Sequence, residues 1–172
     1  MLETAVSRLL SPEEAASIEF PELLQEALQI WQTLRGRQRF PSRDQLDPLV
    51  LRRLTTHIML WEVREAPKGE EFVVLIAGER AVQNGGGRMR GKTLPSFHGD
   101  DYEEVWREFD AVRRTGNLHY CLRGAHWIRQ PYLQFHRLLM PLGEGDTVTH
   151  LFSILDYDSA VSLTPMDSLM QI

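Results

Sequence analysis

The stretch from Asp100 to Gly116 constrains the fold more than any other part of the sequence. Asp100 can cap the first free N–H groups of a helix, and Glu103 stands at the spacing of a capping box. Gly116 ends the helix, because glycine takes the left-handed conformation of a C-terminal cap without steric cost. Between these signals, apolar side chains recur at steps of three and four residues and share one face: Tyr102, Val105, Trp106, Phe109 and Val112. Polar side chains occupy most of the rest: Glu103, Glu104, Arg107, Glu108 and Asp110. We therefore predict a long helix that lies on a β-sheet.

Composition limits the classes of protein to which the chain can belong. The length of 172 residues suits one domain, and the net charge of −5 argues against a nucleic-acid partner. The single Cys121 cannot form an internal disulfide bond. No apolar run approaches the roughly 20 residues that span a bilayer, and the N-terminus lacks a signal-peptide pattern. We expect a cytoplasmic protein without membrane contact.

The N-terminal part is predicted to be helical. Residues through Leu10 look loosely held, and Ser11-Pro12-Glu13-Glu14 predicts a short helix to about Ile18. A longer helix starts at Pro21 and ends near Gly36, with an apolar stripe that includes Leu24, Leu28 and Trp31. This stripe needs a partner, which is either the exposed face of the chain's own sheet or the same helix in a second subunit.

Five strands are predicted, and they stand in two groups. A hairpin is predicted from two segments, His57–Val63 and the very apolar Phe72–Ala77. Leu118–Leu122, Tyr132–Leu142 and Val148–Leu155 follow the long helix, with turns near 124–131 and 143–146. Strands at both ends of a helical excursion predict an α+β fold with an antiparallel sheet and helices on one face. The expected parts are an N-terminal helical segment at 1–40, acting as a cap or in dimerisation, a core at 41–157 and a tail at 158–172.

The segment between Gly78 and Phe97 is predicted to hold one or two short helical turns joined by a flexible loop. Gly85–Gly87 with the arginines around it suggests a phosphate cradle, but it lacks the spacing of a phosphate-binding or dinucleotide-binding motif. A loop that covers a pocket is the favoured interpretation.

The chain resembles the PAS superfamily from about Leu24 to Asp156, and in particular small stand-alone bacterial members. The order and spacing of several short motifs carry the resemblance: Leu34-Arg35-Gly36, Pro41-Ser42-Arg43, Asp47-Pro48, Leu75-Ile76-Ala77-Gly78, Arg90-Gly91-Lys92-Thr93-Leu94 and Phe135-His136-Arg137-Leu138-Leu139-Met140-Pro141-Leu142. The resemblance implies a five-stranded antiparallel sheet, a pocket between the long helix and the sheet, and frequent pairing through an N-terminal helix.

The resemblance also implies what this chain lacks. PAS flavoproteins hold the flavin through a cysteine on a short helix in an Asn-Cys-Arg motif, whereas Cys121 lies on a predicted strand. Haem PAS proteins use a histidine on or near the long helix, and here only His98 stands just before it. We predict no cofactor.

Arg137 is the most informative polar candidate. It alternates with Phe135 and Leu139, so all three share one face of a strand. A permanently charged guanidinium group in an apolar pocket needs either an anionic ligand or an acidic partner. Asp156 and Glu79 are candidates for such a partner. The aromatic residues Trp106, Phe109 and Tyr120 serve as core or as pocket lining.

The histidines give little support for a catalytic or metal site. His57, His119, His126, His136 and His150 lie on or near strands without a metal-binding spacing, although His119 and His136 could approach across neighbouring strands. Structural roles are favoured. No serine stands on the strand-to-helix elbow of a catalytic nucleophile, and we predict neither a metal site nor an enzyme.

Together these features predict a non-enzymatic PAS-type sensory or signalling adaptor. It would form a homodimer through Leu24, Leu28 and Trp31, hold a small ligand, for which an anion is a candidate, in its pocket and act on a signalling partner. The predicted pocket residues are Trp106, Phe109, Tyr120, Phe135, Arg137 and Leu139. Two alternatives stay open: an interaction module without a ligand, and a small α+β enzyme that uses His136, Arg137 and Asp156.

Overall fold

Six antiparallel strands form one sheet in the computed structural model, which describes residues 4–67, 69–84, 87–98, 102–124 and 134–157. The strands are β1 (Thr4–Leu10), β2 (Ile58–Ala66), β3 (Gly69–Ala77), β4 (Leu118–Gly124), β5 (Gln134–Glu144) and β6 (Thr147–Asp156). Their order across the sheet is β1-β4-β5-β6-β2-β3. The α+β fold is therefore confirmed, together with the hairpin of β2 and β3 and the meander of β4, β5 and β6.

The strand β1 corrects the prediction that residues through Leu10 are loosely held. It pairs antiparallel with β4, and Ser7 lies opposite Cys121 while Leu10 lies opposite Leu118. Leu10 is fully buried. Val6, Leu9 and Leu10 do not alternate in the way a half-buried strand requires, so this edge strand forms because β4 offers it a partner from far along the chain.

The helices are distributed over both faces of the sheet. They are α1 (Pro12–Ala16), α2 (Glu22–Arg35), α3 (Pro48–Leu51), α4 (Glu79–Asn84), α5 (Leu94–His98) and α6 (Tyr102–Thr115), with 3-10 turns at Arg43–Gln45 and Arg52–His57. Helix α6 packs on β1, β4, β5 and β6, and α2 packs on β5 and β6. On β5, Arg137 contacts α6, whereas on the opposite side of the sheet His136 bonds to Tyr120, whose ring lies 5.2 Å from that of Phe20. The N-terminal helices thus cover the face that α6 leaves open.

Helix α2 packs on the chain's own sheet, which is the first of the two predicted partners. Leu24, Leu28 and Trp31 are buried, and the Trp31 Nε1–H donates to the carbonyl oxygen of Pro141 at 2.9 Å. Their predicted role as the dimer interface needs correction, because the chain itself already covers them. A second subunit would have to contact another surface of this helix.

Helix α6 follows the predicted bounds and ends before Gly116, whose φ is +71°. Val105, Phe109 and Val112 are buried, and Tyr102 and Trp106 are half-buried. Glu108 and Asp110 are also buried, against the prediction that they belong to the polar side. Arginine side chains compensate both carboxylates: Arg113 and Arg114 pair with Asp110, and residues of the sheet pair with Glu108.

Helices α4 and α5 correspond to the one or two short helical turns predicted between Gly78 and Phe97. Between them, Gly91 and Lys92 run beside β3 and exchange backbone hydrogen bonds with Val74. The predictions for Gly85, Gly86, Asp100, His126, the turn at 125–131 and the tail at 158–172 lie outside the described residues. Within the described part, none of the helices combines the length and the apolar character needed to cross a bilayer.

Candidate functional site

A buried polar cluster lies between α6 and the sheet. Its charged members are Glu108 of α6, Arg123 of β4 and Arg137 of β5, with exposed fractions of 7%, 2% and 5%. The buried His119 of β4 and the more exposed Ser7 of β1 complete it. We call these five residues the Glu108 cluster.

Strand register brings the cluster together. His119, Cys121 and Arg123 alternate along β4, so their side chains leave the same face. Arg137 pairs with Cys121 across the strands, which places Arg123 and Arg137 diagonally on that face. Ser7 of β1 pairs with Cys121 from the side of β4 opposite to β5. Helix α6 packs over these three strands, and the Glu108 carboxylate is directed towards them.

Both oxygens of the Glu108 carboxylate accept hydrogen bonds from the sheet. Oε1 accepts from Arg137 Nη2 at 2.8 Å. Oε2 accepts from Ser7 Oγ at 2.9 Å and from Arg123 Nη2. The guanidinium carbon of Arg137 also lies 5.3 Å from the centre of the Phe109 ring, in a cation–π contact. One carboxylate therefore ties α6 to three strands.

The hydrogen bonds of His119 determine its tautomer. Arg137 Nη2 lies 3.1 Å from His119 Nδ1, and since a guanidinium only donates, Nδ1 must be the acceptor. The proton is then on Nε2, which donates to Ser7 Oγ at 2.9 Å, and the hydroxyl of Ser7 donates to Glu108. His119 is thus a neutral link in a directed chain of hydrogen bonds.

Charge and burial shift the pKa values of Glu108 and His119, and of the neighbouring Cys121, away from neutral pH. Burial and the charge of Arg137 lower the pKa of His119 to about 3. Burial would raise the pKa of Glu108, but Arg137 and Arg123 outweigh it and lower that pKa to about 2. Burial raises the pKa of the Cys121 thiol, so this side chain stays protonated.

The predicted pocket residues do not all meet. Phe109, Phe135, Arg137 and Leu139 are buried on the α6 side of the sheet, as strand alternation predicted. Tyr120 lies on the opposite side, where its hydroxyl bonds to His136 Nδ1 at 2.7 Å. Its assignment to the pocket is wrong, because the register places it opposite Leu138 rather than opposite Leu139. Burial raises its pKa to about 12.

Trp106 lines a separate cavity at the other end of the sheet. The cavity has a volume of about 650 Å³ and lies between α5, α6 and the β2–β3 hairpin. Phe72, Leu94, Tyr102 and Trp106 contribute its apolar walls. The Trp106 Nε1–H donates to the carbonyl oxygen of Glu70 at 3.0 Å, which fixes the indole in the wall.

The structure separates the residues of the predicted enzyme alternative. His136 lies opposite Asp156 across β5 and β6, on the side of the sheet away from Arg137. His119 and His136 likewise lie on opposite faces, so they cannot act together. Among the described residues, no group of three histidine, cysteine or acidic side chains is arranged to hold a metal ion.

The acidic partner of Arg137 is Glu108, rather than the predicted Asp156 or Glu79. Sequence reasoning missed Glu108, Arg123 and Ser7. A signal for Glu108 was present, since it stands three residues after Val105 and four before Val112, within the apolar stripe. Residue type alone predicts that Glu108 lies on the outer side of the helix, whereas its position in the repeat predicts the buried side.

Loss of the Glu108 charge is expected to destabilise the fold. Glu108→Gln keeps the shape of the side chain but leaves two buried guanidinium groups without a counter-charge, so the free energy of unfolding should fall by about 3–5 kcal/mol. The matched control is Glu104→Gln, one turn earlier, because Glu104 is half-exposed and 4.0 Å from Arg123. Its cost should stay below about 1 kcal/mol. Urea unfolding measures both, and equal losses would contradict the role of Glu108.

Because His119 is neutral in the folded protein, the free energy of unfolding should depend on pH. In the unfolded chain a histidine takes up a proton below a pH of about 6.5, whereas folded His119 resists protonation down to about 3. The unfolded state binds more protons in this window, so stability falls as the pH drops. Between a pH of about 7 and about 4.5, the free energy of unfolding should therefore fall by about 2–3 kcal/mol less in His119→Gln than in the wild type. Urea unfolding across that range measures it, and an unchanged slope in the variant would refute this account.

Comparison with known proteins identifies the family. A family model described as PAS domain matches residues 20–155, which is most of the chain. No curated protein matches the chain. The chain is similar to a sensory box sensor histidine kinase from Vibrio cholerae, at 13% identity and a TM-score of 0.42, over 62% of this chain and 82% of that chain.

Two further solved structures concern light-oxygen-voltage proteins. One is a light-oxygen-voltage domain studied with a flavin analogue, at 9% identity and a TM-score of 0.47, over 73% of this chain and 97% of that chain. The other is an RNA-binding light-oxygen-voltage receptor, at 14% identity and a TM-score of 0.47. This chain matches that receptor over 98% of its own length but spans only 44% of the receptor.

The family match decides the assignment, because it spans well over half of the sequence. PAS domains are sensory and signalling modules, and in general they are not catalysts. On this evidence the chain belongs to the PAS domain family.

Proposed function

We propose that this chain is a non-enzymatic, cytoplasmic PAS-type adaptor that binds a small molecule between α6 and the sheet and signals through a homodimer or a protein partner. The observation that supports the ligand is the 650 Å³ cavity beside Trp106, which has the volume of a typical small-molecule site. The buried, protonated thiol of Cys121 suits a reducing compartment.

The cavity and the Glu108 cluster lie on the same helix. Trp106 faces the cavity, while Glu108 two residues later binds Arg123 and Arg137. A ligand that presses on Trp106 would therefore shift the helix that ties β1, β4 and β5 together. A ligand shifts an equilibrium between two states only if it binds them with different affinities. A ligand beside Trp106 would meet this condition if it bound one position of α6 more tightly than another.

The charge at the cavity favours a neutral or cationic ligand over the anionic one suggested by Arg137. Arg137 lies away from this cavity and its charge is used by Glu108. Of the charged residues that the described ranges place in the cavity wall, Glu70, Glu71 and Glu103 are acidic and Arg107 is basic. The indole of Trp106 adds a face that attracts cations.

Probe binding tests the cavity. We expect the full chain to bind the neutral fluorophore N-phenyl-1-naphthylamine, and Ala66→Trp, which fills the cavity wall, to weaken binding about tenfold or more. The control is Glu65→Trp, since Glu65 precedes Ala66 on β2 but does not line the cavity. Fluorescence titration gives both dissociation constants. Equal affinities in the two variants would remove the cavity as the site, and no binding at all would favour an interaction module without a ligand.

The dimer is proposed to use an apolar patch beside α2. Ile30 and Leu34 of α2 border Leu49 and Val50 of α3 in a shallow groove, and Leu49 is 82% exposed. We call these four residues the α2–α3 patch. Glu26 and Arg52 border the same groove, so polar side chains adjoin an apolar centre, as they do in protein interfaces. The predicted dimer thus keeps helix α2 but uses its outer surface.

Light scattering after size-exclusion chromatography tests this interface. We expect the full chain to elute with twice its mass of 19.9 kDa and Leu49→Asp to elute as a monomer, because a charge in the apolar centre of a symmetric interface is buried twice. The control is Ile76→Asp, since Ile76 is 43% exposed on the distant strand β3. A monomeric wild type, or a dimeric Leu49→Asp, would contradict the interface.

A further inference from the structure

We propose that the Glu108 cluster contains a second binding site, which takes a small monovalent anion, a halide or a short carboxylate, on the Nε–H groups of Arg123 and Arg137. This site is separate from the cavity beside Trp106, and its test does not depend on the ligand proposed there.

Two unused hydrogen-bond donors point to the site. Nε of Arg123 and Nε of Arg137 are buried and have no hydrogen-bond partner among the described residues. Each guanidinium binds Glu108 through Nη2, and its Nε–H meets no acceptor within the described ranges of the chain. Buried donors are nearly always bonded, so two such groups on neighbouring strands indicate an acceptor that this part of the chain does not supply.

The charge of the cluster identifies the acceptor as an anion. Two guanidinium groups face one buried carboxylate, which leaves one positive charge in excess. His119 cannot offset it, because a histidine is either neutral or positive. Glu104 lies 4.0 Å from Arg123 and its side chain is half-exposed, so water screens its contribution. An uncompensated buried charge costs several kcal/mol, and an anion would remove that cost.

The surroundings limit the size of the anion. The ring of Phe109 lies against the Arg137 guanidinium, which reduces the room for a ligand on that side. Both oxygens of Glu108 and both ring nitrogens of His119 already have partners. A halide or formate is small enough to accept a hydrogen bond from a buried Nε–H at such a place, whereas a bulky organic anion is not.

Thermal unfolding of the full chain in different sodium salts at constant ionic strength tests the proposal. Chloride and formate are the candidate ligands, and gluconate is too large for the site. Because an anion that binds only the folded state stabilises it, we expect the melting temperature to rise by about 3–8 °C in chloride or formate relative to gluconate. A larger rise in chloride assigns a halide, and a larger rise in formate assigns a carboxylate.

Three variants locate the effect. Arg123→Met leaves Glu108 and Arg137 with a net charge of zero. The difference in melting temperature between the salts should therefore disappear. Arg123→Lys keeps the charge but lacks the Nε–H, and it should reduce the difference even where Arg123→Met does not fold. Arg107→Met, which removes an exposed arginine of the same helix, should leave it intact.

Equal melting temperatures of the wild type in the three salts would overturn the proposal and indicate bound water at the two nitrogens. An undiminished anion effect in Arg123→Lys would overturn it as well, since the anion would then bind elsewhere.

Discussion

The Glu108 carboxylate is the constraint on which the rest of the structure depends. A carboxylate under a helix is tolerated only where cations and donors replace its lost hydration. Here Arg123, Arg137 and Ser7 do so from three different strands. Sliding α6 by even one turn would separate these charges inside the protein. The position of the helix on the sheet is therefore determined by a few directed ion pairs, and apolar packing alone would allow more freedom.

The contacts that attach helix α6 to the sheet differ in strength along the helix. Near its start, Trp106 donates one hydrogen bond to the backbone of β3, and the space beside it is open. Further along, the buried charges of Glu108 bind it firmly. The helix is therefore held less tightly beside the cavity than over β1, β4 and β5.

The N-terminal helices have a different role from α6. They cover the second face of the sheet, where Phe20 meets Tyr120 and Trp31 binds the backbone of Pro141. Strand β1 precedes them and carries Ser7 into the Glu108 cluster. The N-terminal segment thus contacts both sides of the sheet, through Ser7 on the α6 side and through Phe20 and Trp31 on the other.

The sequence by itself determined the elements whose signals are local. Periodicity and end signals set the bounds of α2 and α6, and alternation placed Phe135, Arg137 and Leu139 on one face, because each pattern depends on residues a few positions apart. Only the tertiary structure decided the pairing of β1 with β4, the face of Tyr120, the partner of Trp31 and the burial of Glu108. These depend on strand register and on charges brought together from opposite ends of the chain, and a register shift of one residue reverses every side chain. Local patterns carry no information about such distant partners.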